Sequence, residues 1–215
     1  MFILNEVNSV AHHFLSEIRD VNVQSDSMRF RKNLERLGEI MAYEVSKKLD
    51  YENKEIETPL GSSSIPMFKD QPVIISVLRA GLPFFQGFLN IFDRAESGFI
   101  GAFRKPHDER SDIEIALNYI AAPSIENKTI IITDPMLATG RSLIKAVQEL
   151  VATGAPNHIH IACAIAAPEG VNYLKGHIKA PFTLWAGAVD EKLNNMSYIV
   201  PGLGDAGDLS FGKKL

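Results

Sequence analysis

Four short apolar runs constrain this chain more than any other feature: PVIISVL (72–78), SGFIGAF (97–103), KTIIIT (128–133) and HIHIACAIA (158–166). Each is rich in β-branched residues and lies between turn or breaker residues, the pattern of a buried strand. Between the third and fourth runs, Leu143, Val147, Leu150 and Val151 form a helical stripe that stops at Thr153-Gly154-Ala155-Pro156. Strand, loop, helix and strand in that order make a βαβ unit. The order repeats, with a short helix expected over 168–175 and another strand at FTLWA (182–186). The expected fold is therefore α/β, a mostly parallel twisted sheet flanked by helices. Upstream, Phe30, Leu34, Leu37, Met41, Val45 and Leu49 recur at three- and four-residue steps and predict an amphipathic helix over 28–49, with Ser25, Asp26 or Ser27 as its N-cap. Its polar face of Arg29, Arg31, Lys32, Glu35 and Arg36 reads as solvated.

Nothing in the 215 residues looks like a linker or an internal repeat, and 46% hydrophobic with 22% charged content is ordinary for one globular domain spanning 1–215. No run approaches the roughly 18 apolar residues of a membrane span, and the first residues carry no basic leader, so a cytoplasmic protein without a membrane partner is expected. A net charge of −4 argues against a nucleic-acid partner. The single cysteine, Cys163, sits in an apolar run and reads as a small buried hydrophobe. His158 and His160, same-face neighbours on a strand, read as packing or surface residues rather than metal ligands.

In open parallel sheets, ligands sit beyond the carboxyl ends of the strands, which directs attention to the residues after Leu78, Phe103 and Thr133. After Thr133 come Asp134, Pro135, Met136, Leu137, Ala138, Thr139, Gly140, Arg141 and Ser142, an acid, a small-residue loop and two hydroxyls leading into a helix. Backbone amides at a helix start, aided by Thr139 and Ser142, suit a phosphate monoester. Three or four such bonds at roughly 1.5–3 kcal/mol each approach the about 8 kcal/mol of a micromolar ligand. Asp134 is a poor neighbour for phosphate but a good acceptor for two adjacent sugar hydroxyls, so the combination suits a ribose 5-phosphate. A capped helix after a turn accounts for Thr139 and Gly140 equally well, though not for Asp134-Pro135.

This segment closely resembles the phosphoribosyl pyrophosphate (PRPP) motif of type I phosphoribosyltransferases, in the DPMLATG form of the uracil phosphoribosyltransferases. Further matches follow in family order: Val77-Leu78-Arg79-Ala80-Gly81, Phe103-Arg104, and Tyr198-Ile199-Val200-Pro201-Gly202-Leu203-Gly204-Asp205-Ala206-Gly207-Asp208. Met41-Ala42-Tyr43-Glu44 extends the likeness over nearly the whole chain. The resemblance implies the type I fold with a flap hairpin and a C-terminal base-binding loop. It also implies transfer of the phosphoribosyl group of PRPP to uracil, giving UMP and pyrophosphate in pyrimidine salvage.

By that resemblance Asp134, Arg79 and Arg104 are the catalytic residues, with both arginines meeting the pyrophosphate. PRPP would be held by these three together with 135–142 and Asp205. Uracil would be read largely by main-chain groups of Ile199, Gly204 and Ala206, with Asp205 close by. Mg2+ would be bound mainly through the pyrophosphate rather than by a protein cage. Family members are homodimers or homotetramers, and some respond to GTP.

Two other readings stand beside this one: a catalytically weak sensor of PRPP or UMP with the same fold, and the same chemistry on a purine or orotate. The match of 202–207 to the dinucleotide pattern G-x-G-x-x-G is set aside because no helix or crossover strand is expected after it. Three departures from the family pattern stand out. Arg141 replaces a second glycine and is expected to take ordinary helical angles; Leu209 stands where many relatives carry a basic residue; and the polar run 105–112, read as a flap or a plain hairpin, begins Lys105-Pro106-His107 where acids are expected.

Overall fold

The computed structural model describes residues 1–104 and 115–213, with side chains over 1–101 and 119–213. In chain order the elements are β1 (Phe2–Ile3), a 3-10 turn at Leu4–Glu6, α1 (Ala11–Arg19), α2 (Ser27–Ser46), β2 (Tyr51–Thr58), β3 (Gly61–Phe68), β4 (Val73–Leu78), α3 (Leu82–Ile91), β5 (Ser97–Arg104) and β6 (Ile115–Ala121). There follow β7 (Thr129–Thr133), β8 (Met136–Leu137), α4 (Arg141–Val151), β9 (His158–Ala166), α5 (Pro168–His177), β10 (Phe182–Val189), β11 (Lys192–Leu193), β12 (Ile199–Val200) and α6 (Ala206–Phe211).

The apolar runs are strands of one eight-stranded sheet in the order β1-β10-β9-β7-β4-β5-β6, with β8 paired to β9. All its pairings are parallel except β5 with β6. Successive side chains point to opposite faces, so each β-branched run feeds two cores. Ile74 and Ile131 join α1, α2 and α3 on one face, where Ile18, Leu34, Met41, Phe84 and Phe88 are buried. Val73, Ile75, Ile130 and Ile132 join α4 and α5 on the other, with Leu143, Val147, Leu150 and Leu174. Burial on both sides explains why these strands read as continuous apolar runs rather than alternating ones.

Helix α2 starts where expected: the Asp26 carboxylate accepts from Arg29 N at 3.0 Å. It ends at Ser46, not Leu49, because Lys47, Lys48 and Leu49 donate to Glu44, Val45 and Ser46 in a tightened final turn. Against it lies α3, whose sequence LPFFQGFLNI is too uniformly apolar to show an amphipathic stripe. The two helices touch backbone to backbone, since a Cβ on Gly38 would lie 2.2 Å from Phe84 O and one on Gly87 2.1 Å from Glu35 O. Strands β2 and β3 form a separate ribbon, nearly all of it exposed. Its base is tied to the core by tilted ring contacts, Tyr51 with Phe68 and Phe68 with Phe92. The expected flap, 105–112, lies outside the described residues.

Candidate active site

The loop after β7 is held by the overhang of its neighbour. Strand β9 pairs with β7 from His158 to Ala162, and its remaining end pairs with β8, Met136 opposite Ile165 and Leu137 opposite Ala166. Asp134 N donates to Ala162 O at 3.0 Å, and Pro135 O accepts from both Ala164 N and Ile165 N. Pro135 and Leu137 are buried while Asp134 and Met136 are half-buried, so the acid is held at the strand end facing away from the core. The Asp134 carboxylate also accepts from Met136 N at 3.2 Å.

The second half of the loop turns into α4. Gly140 has φ 76°, a left-handed conformation that costs glycine nothing. The first intrahelical bond runs from Ile144 N to Gly140 O, so the amides of 141–143 lie at the open end of the helix. Thr139 Oγ1 accepts from Arg141 N at 3.4 Å. Arg141 is the first residue of α4 and has negative φ, as the sequence predicts. Its guanidinium stands over the Tyr173 ring, 6.0 Å from the centroid, rather than in a core. Helix α5 closes against this turn. A Cβ on Gly170 would lie 2.3 Å from Ala138 O, and Gly170 O would be 3.1 Å from a Cβ on Gly140.

Adjacent strand ends bring the other segments to the same place. Ser76 of β4 is opposite Thr133 of β7, and a Cβ on Gly81 would be 3.3 Å from Thr133 O. Arg79, between them in sequence, sends Nη2 to Asp208 Oδ1 at 3.0 Å and to Gly212 O at 2.6 Å. Its Nε is buried and has no partner among the described residues. Arg104 ends β5, the neighbour of β4, so its backbone lies at the same carboxyl edge.

The terminal motif folds over this edge. Ile199 pairs with Leu193 in the small β11–β12 ladder, its side chain buried. The bonds Leu78–Arg79 and Val200–Pro201 are cis, and Gly202 and Gly204 have φ 62° and 93°. Asp205 caps α6, accepting from Asp208 N at 2.9 Å, and a Cβ on Gly207 would be 3.1 Å from Asp205 Oδ1 and 3.6 Å from Arg79 Nε. Ala206 is buried and Gly204 exposed. The sequence reading of no helix after this motif is corrected: α6 follows Asp205, too short at six residues to show a periodic stripe.

A family model described as uracil phosphoribosyltransferase matches residues 6–213. This chain belongs to that family. It is 47% identical over 212 residues to a uracil phosphoribosyltransferase of Porphyromonas gingivalis, covering 99% of this chain and 98% of the relative. A solved structure of an Aquifex aeolicus protein superposes with TM-score 0.85 at 33% identity, covering 96% of each chain. A hypoxanthine phosphoribosyltransferase from Staphylococcus aureus, 15% identical with TM-score 0.51 and covering 87% of this chain and 84% of its own, shares the type I fold.

Within this uracil phosphoribosyltransferase fold, the other residues singled out from sequence are packing residues. The His158 and His160 rings lie 4.7 Å apart, tilted by 52°, near the amino end of β9. Trp185 Nε1 donates to His160 Nδ1 at 3.1 Å, and burial, with His158 alongside, pushes the His160 pKa down to about 4. Cys163 is buried, and burial drives its thiol far up, as does the Asp134 charge. Sequence reasoning gave no role to Gly170, and none to Asp208 beyond its place in the terminal motif. A glycine inside a helical stretch is itself a signal of close approach, and it was available at Gly170. No sequence signal pairs Asp208 with Arg79, 129 residues away.

Proposed function

We propose that this chain transfers the phosphoribosyl group of PRPP to uracil, releasing UMP and pyrophosphate in pyrimidine salvage. The observation that carries the reading is the meeting of three segments at one sheet edge: the phosphate loop 134–142, Arg79 with its unpartnered buried Nε, and the terminal motif around Asp205. In this reading the amides at the start of α4 hold the 5-phosphate, where the helix dipole favours negative charge. Asp134 accepts from the ribose hydroxyls and stabilises positive charge developing on the sugar as the C–O bond to pyrophosphate breaks. Arg79, joined by Arg104, takes up negative charge on the leaving pyrophosphate. Uracil N1 attacks the anomeric carbon, held by main-chain groups of Ile199, Gly204 and Ala206. A slot matched to O2, N3–H and O4 of uracil leaves groups unpaired against cytosine, at roughly 1–3 kcal/mol each. Positioning and electrostatics carry the rate, and no general base is assigned.

Among the described residues no group of three or more His, Cys, Asp or Glu side chains could hold a metal ion. Mg2+ would enter on the pyrophosphate oxygens and supply charge neutralisation there, as hard cations prefer. A homodimer or homotetramer is part of the proposal. The ribbon of β2 and β3 exposes Tyr51, Ile56, Leu60, Ile65 and Met67, and an isolated two-stranded ribbon is marginal in water. No described helix is long and apolar enough to cross a membrane; a cytoplasmic site of action is proposed with the reaction.

The test supplies Mg2+ and PRPP with each of uracil, cytosine, orotate, hypoxanthine and adenine, and measures nucleotide and pyrophosphate. UMP from uracil alone, lost in Asp134→Asn and Arg79→Ala, is expected. Tight PRPP binding without turnover of any base would replace this reading with that of a sensor.

A further inference from the structure

The terminal loop is tied to the far end of the chain by a set of bonds that the reaction itself does not call for. Arg19, the last residue of α1, makes a forked pair with Asp190, just past the end of β10: Nη2 to Oδ1 at 2.6 Å and Nη1 to Oδ2 at 2.9 Å. The Asp190 side chain is only 5% exposed. Both groups then reach Gly202. Gly202 N donates to Asp190 Oδ2 at 2.8 Å, and Gly202 O accepts from Arg19 Nη1 at 3.2 Å. The backbone of Asp190 is fixed in turn, donating to Ala166 O at 2.8 Å, while Glu191 N donates to Val200 O at 3.0 Å.

We infer that Arg19 and Asp190 are positioning residues for base recognition, acting as a clamp that selects one orientation of the Gly202 backbone. The inference rests on the uracil reading given above. Its physical basis is polarity: the carboxylate faces an N–H and the guanidinium faces a carbonyl. Turning these groups over would set N–H against guanidinium and C=O against carboxylate, both repulsive where the carboxylate is buried and the guanidinium only about a quarter exposed. Gly202 is itself confined, since φ is 62° and a Cβ would lie 2.1 Å from Ile199 O. Gly204 and Ala206, assigned to the base, follow within four residues, so the clamp fixes the frame from which they are aimed. A site of this kind must hold its groups to about 0.5 Å. The guanidinium fork matters here more than the charge, because one ammonium cannot match the planar pair of contacts that Arg19 makes.

The experiment compares wild type with Arg19→Lys and with the apolar pair Arg19→Met/Asp190→Leu. Replacing both charges of a partly buried pair leaves no unpaired ion, so a fold retained in the double variant is expected. Three quantities are read: KM for uracil against KM for PRPP, turnover of cytosine relative to uracil, and exchange of the Gly202 amide without substrates. The expected result in the double variant is a KM for uracil raised about tenfold or more, KM for PRPP within about twofold, weaker rejection of cytosine, and Gly202 exchange accelerated at least about tenfold. Arg19→Lys should move the same quantities in the same direction by less. Unchanged uracil KM and Gly202 exchange in folded variants would overturn the clamp, as would parallel rises in both KM values, which mean general loosening. If wild type makes no UMP, the functional reading fails by itself, and the inference about base recognition fails with it; Gly202 exchange then reports only whether the bonds order the loop. If the double variant does not fold, Arg19→Lys decides by the same criteria.

Discussion

Gly170→Ala tests whether α5 sets the loop 134–142, proposed above to hold phosphate. A Cβ at this position would lie 2.3 Å from Ala138 O and 3.0 Å from both Leu137 O and Leu137 Cγ. Two of these atoms are backbone of the loop and cannot swing aside as the end of a side chain can. Reaching an ordinary contact distance requires a separation of about 1 Å between helix and loop. Tilting α5 instead would disturb Val171 and Leu174, both buried. Alanine at a helical glycine ordinarily stabilises by about 0.5–1 kcal/mol. Overpacking costs about 1–3 kcal/mol, so a net loss of about 1–2 kcal/mol is expected in urea unfolding. Displacing a loop that holds substrate, the role proposed for 134–142, by about 1 Å costs on the order of 100-fold in rate. The assay is pyrophosphate release against PRPP concentration at saturating uracil, and a fall of that order in kcat/KM for PRPP is expected. A variant as stable as wild type or more so, with kcat/KM within about twofold, would refute the reasoning.

Gly87→Ala should destabilise without touching the site: its Cβ would meet Glu35 O at 2.1 Å, and a loss of about 1–3 kcal/mol in urea unfolding with unchanged KM for both substrates is expected. Asp208→Asn removes a pair whose partners are each about one-third exposed, so stability should change by less than about 1 kcal/mol, while kcat/KM for PRPP falls about tenfold as Arg79 loses its orientation. His160 has a folded-state pKa of about 4 against 6.5 when unfolded, so the unfolded chain binds the extra proton between these values. Its contribution is therefore complete above pH 6.5 and is lost as pH falls toward 4, by roughly 3 kcal/mol in all. His160→Asn should flatten urea stability over that window, and an unchanged slope would contradict the assignment.

What was legible in the sequence was what burial writes into it. Val73–Leu78 and Thr129–Thr133 are enclosed on both faces and so appear as β-branched runs, and α4 covers one face and so shows a stripe. The ribbon Tyr51–Thr58 and Gly61–Phe68 lies mostly in solvent, so neither strand carries a hydrophobic period, and α3 hides its helical nature in being apolar nearly all round. At the candidate site, the strand–loop–helix geometry of 134–142 was legible because its acid, small residues and helix start are contiguous in sequence, and the phosphate role proposed for it rests on that local pattern. Asp208, Asp190 and Arg19 were not, because each works through a partner more than a hundred residues distant, and only the fold brings those partners together.

Because Pro135, Met136 and Leu137 are already fixed against the end of β9, their backbone freedom is lost when the chain folds, not on binding of the phosphate proposed for this loop. Fixing a residue costs about 1–2 kcal/mol, so leaving these three mobile would weaken ligand affinity by roughly two to four orders of magnitude. This part of the loop is therefore ordered before any ligand arrives, and binding calorimetry with PRPP should register little ordering penalty from it. A change that frees the end of β9 from Pro135 should then weaken binding through entropy, with the enthalpy of the phosphate contacts left as it was.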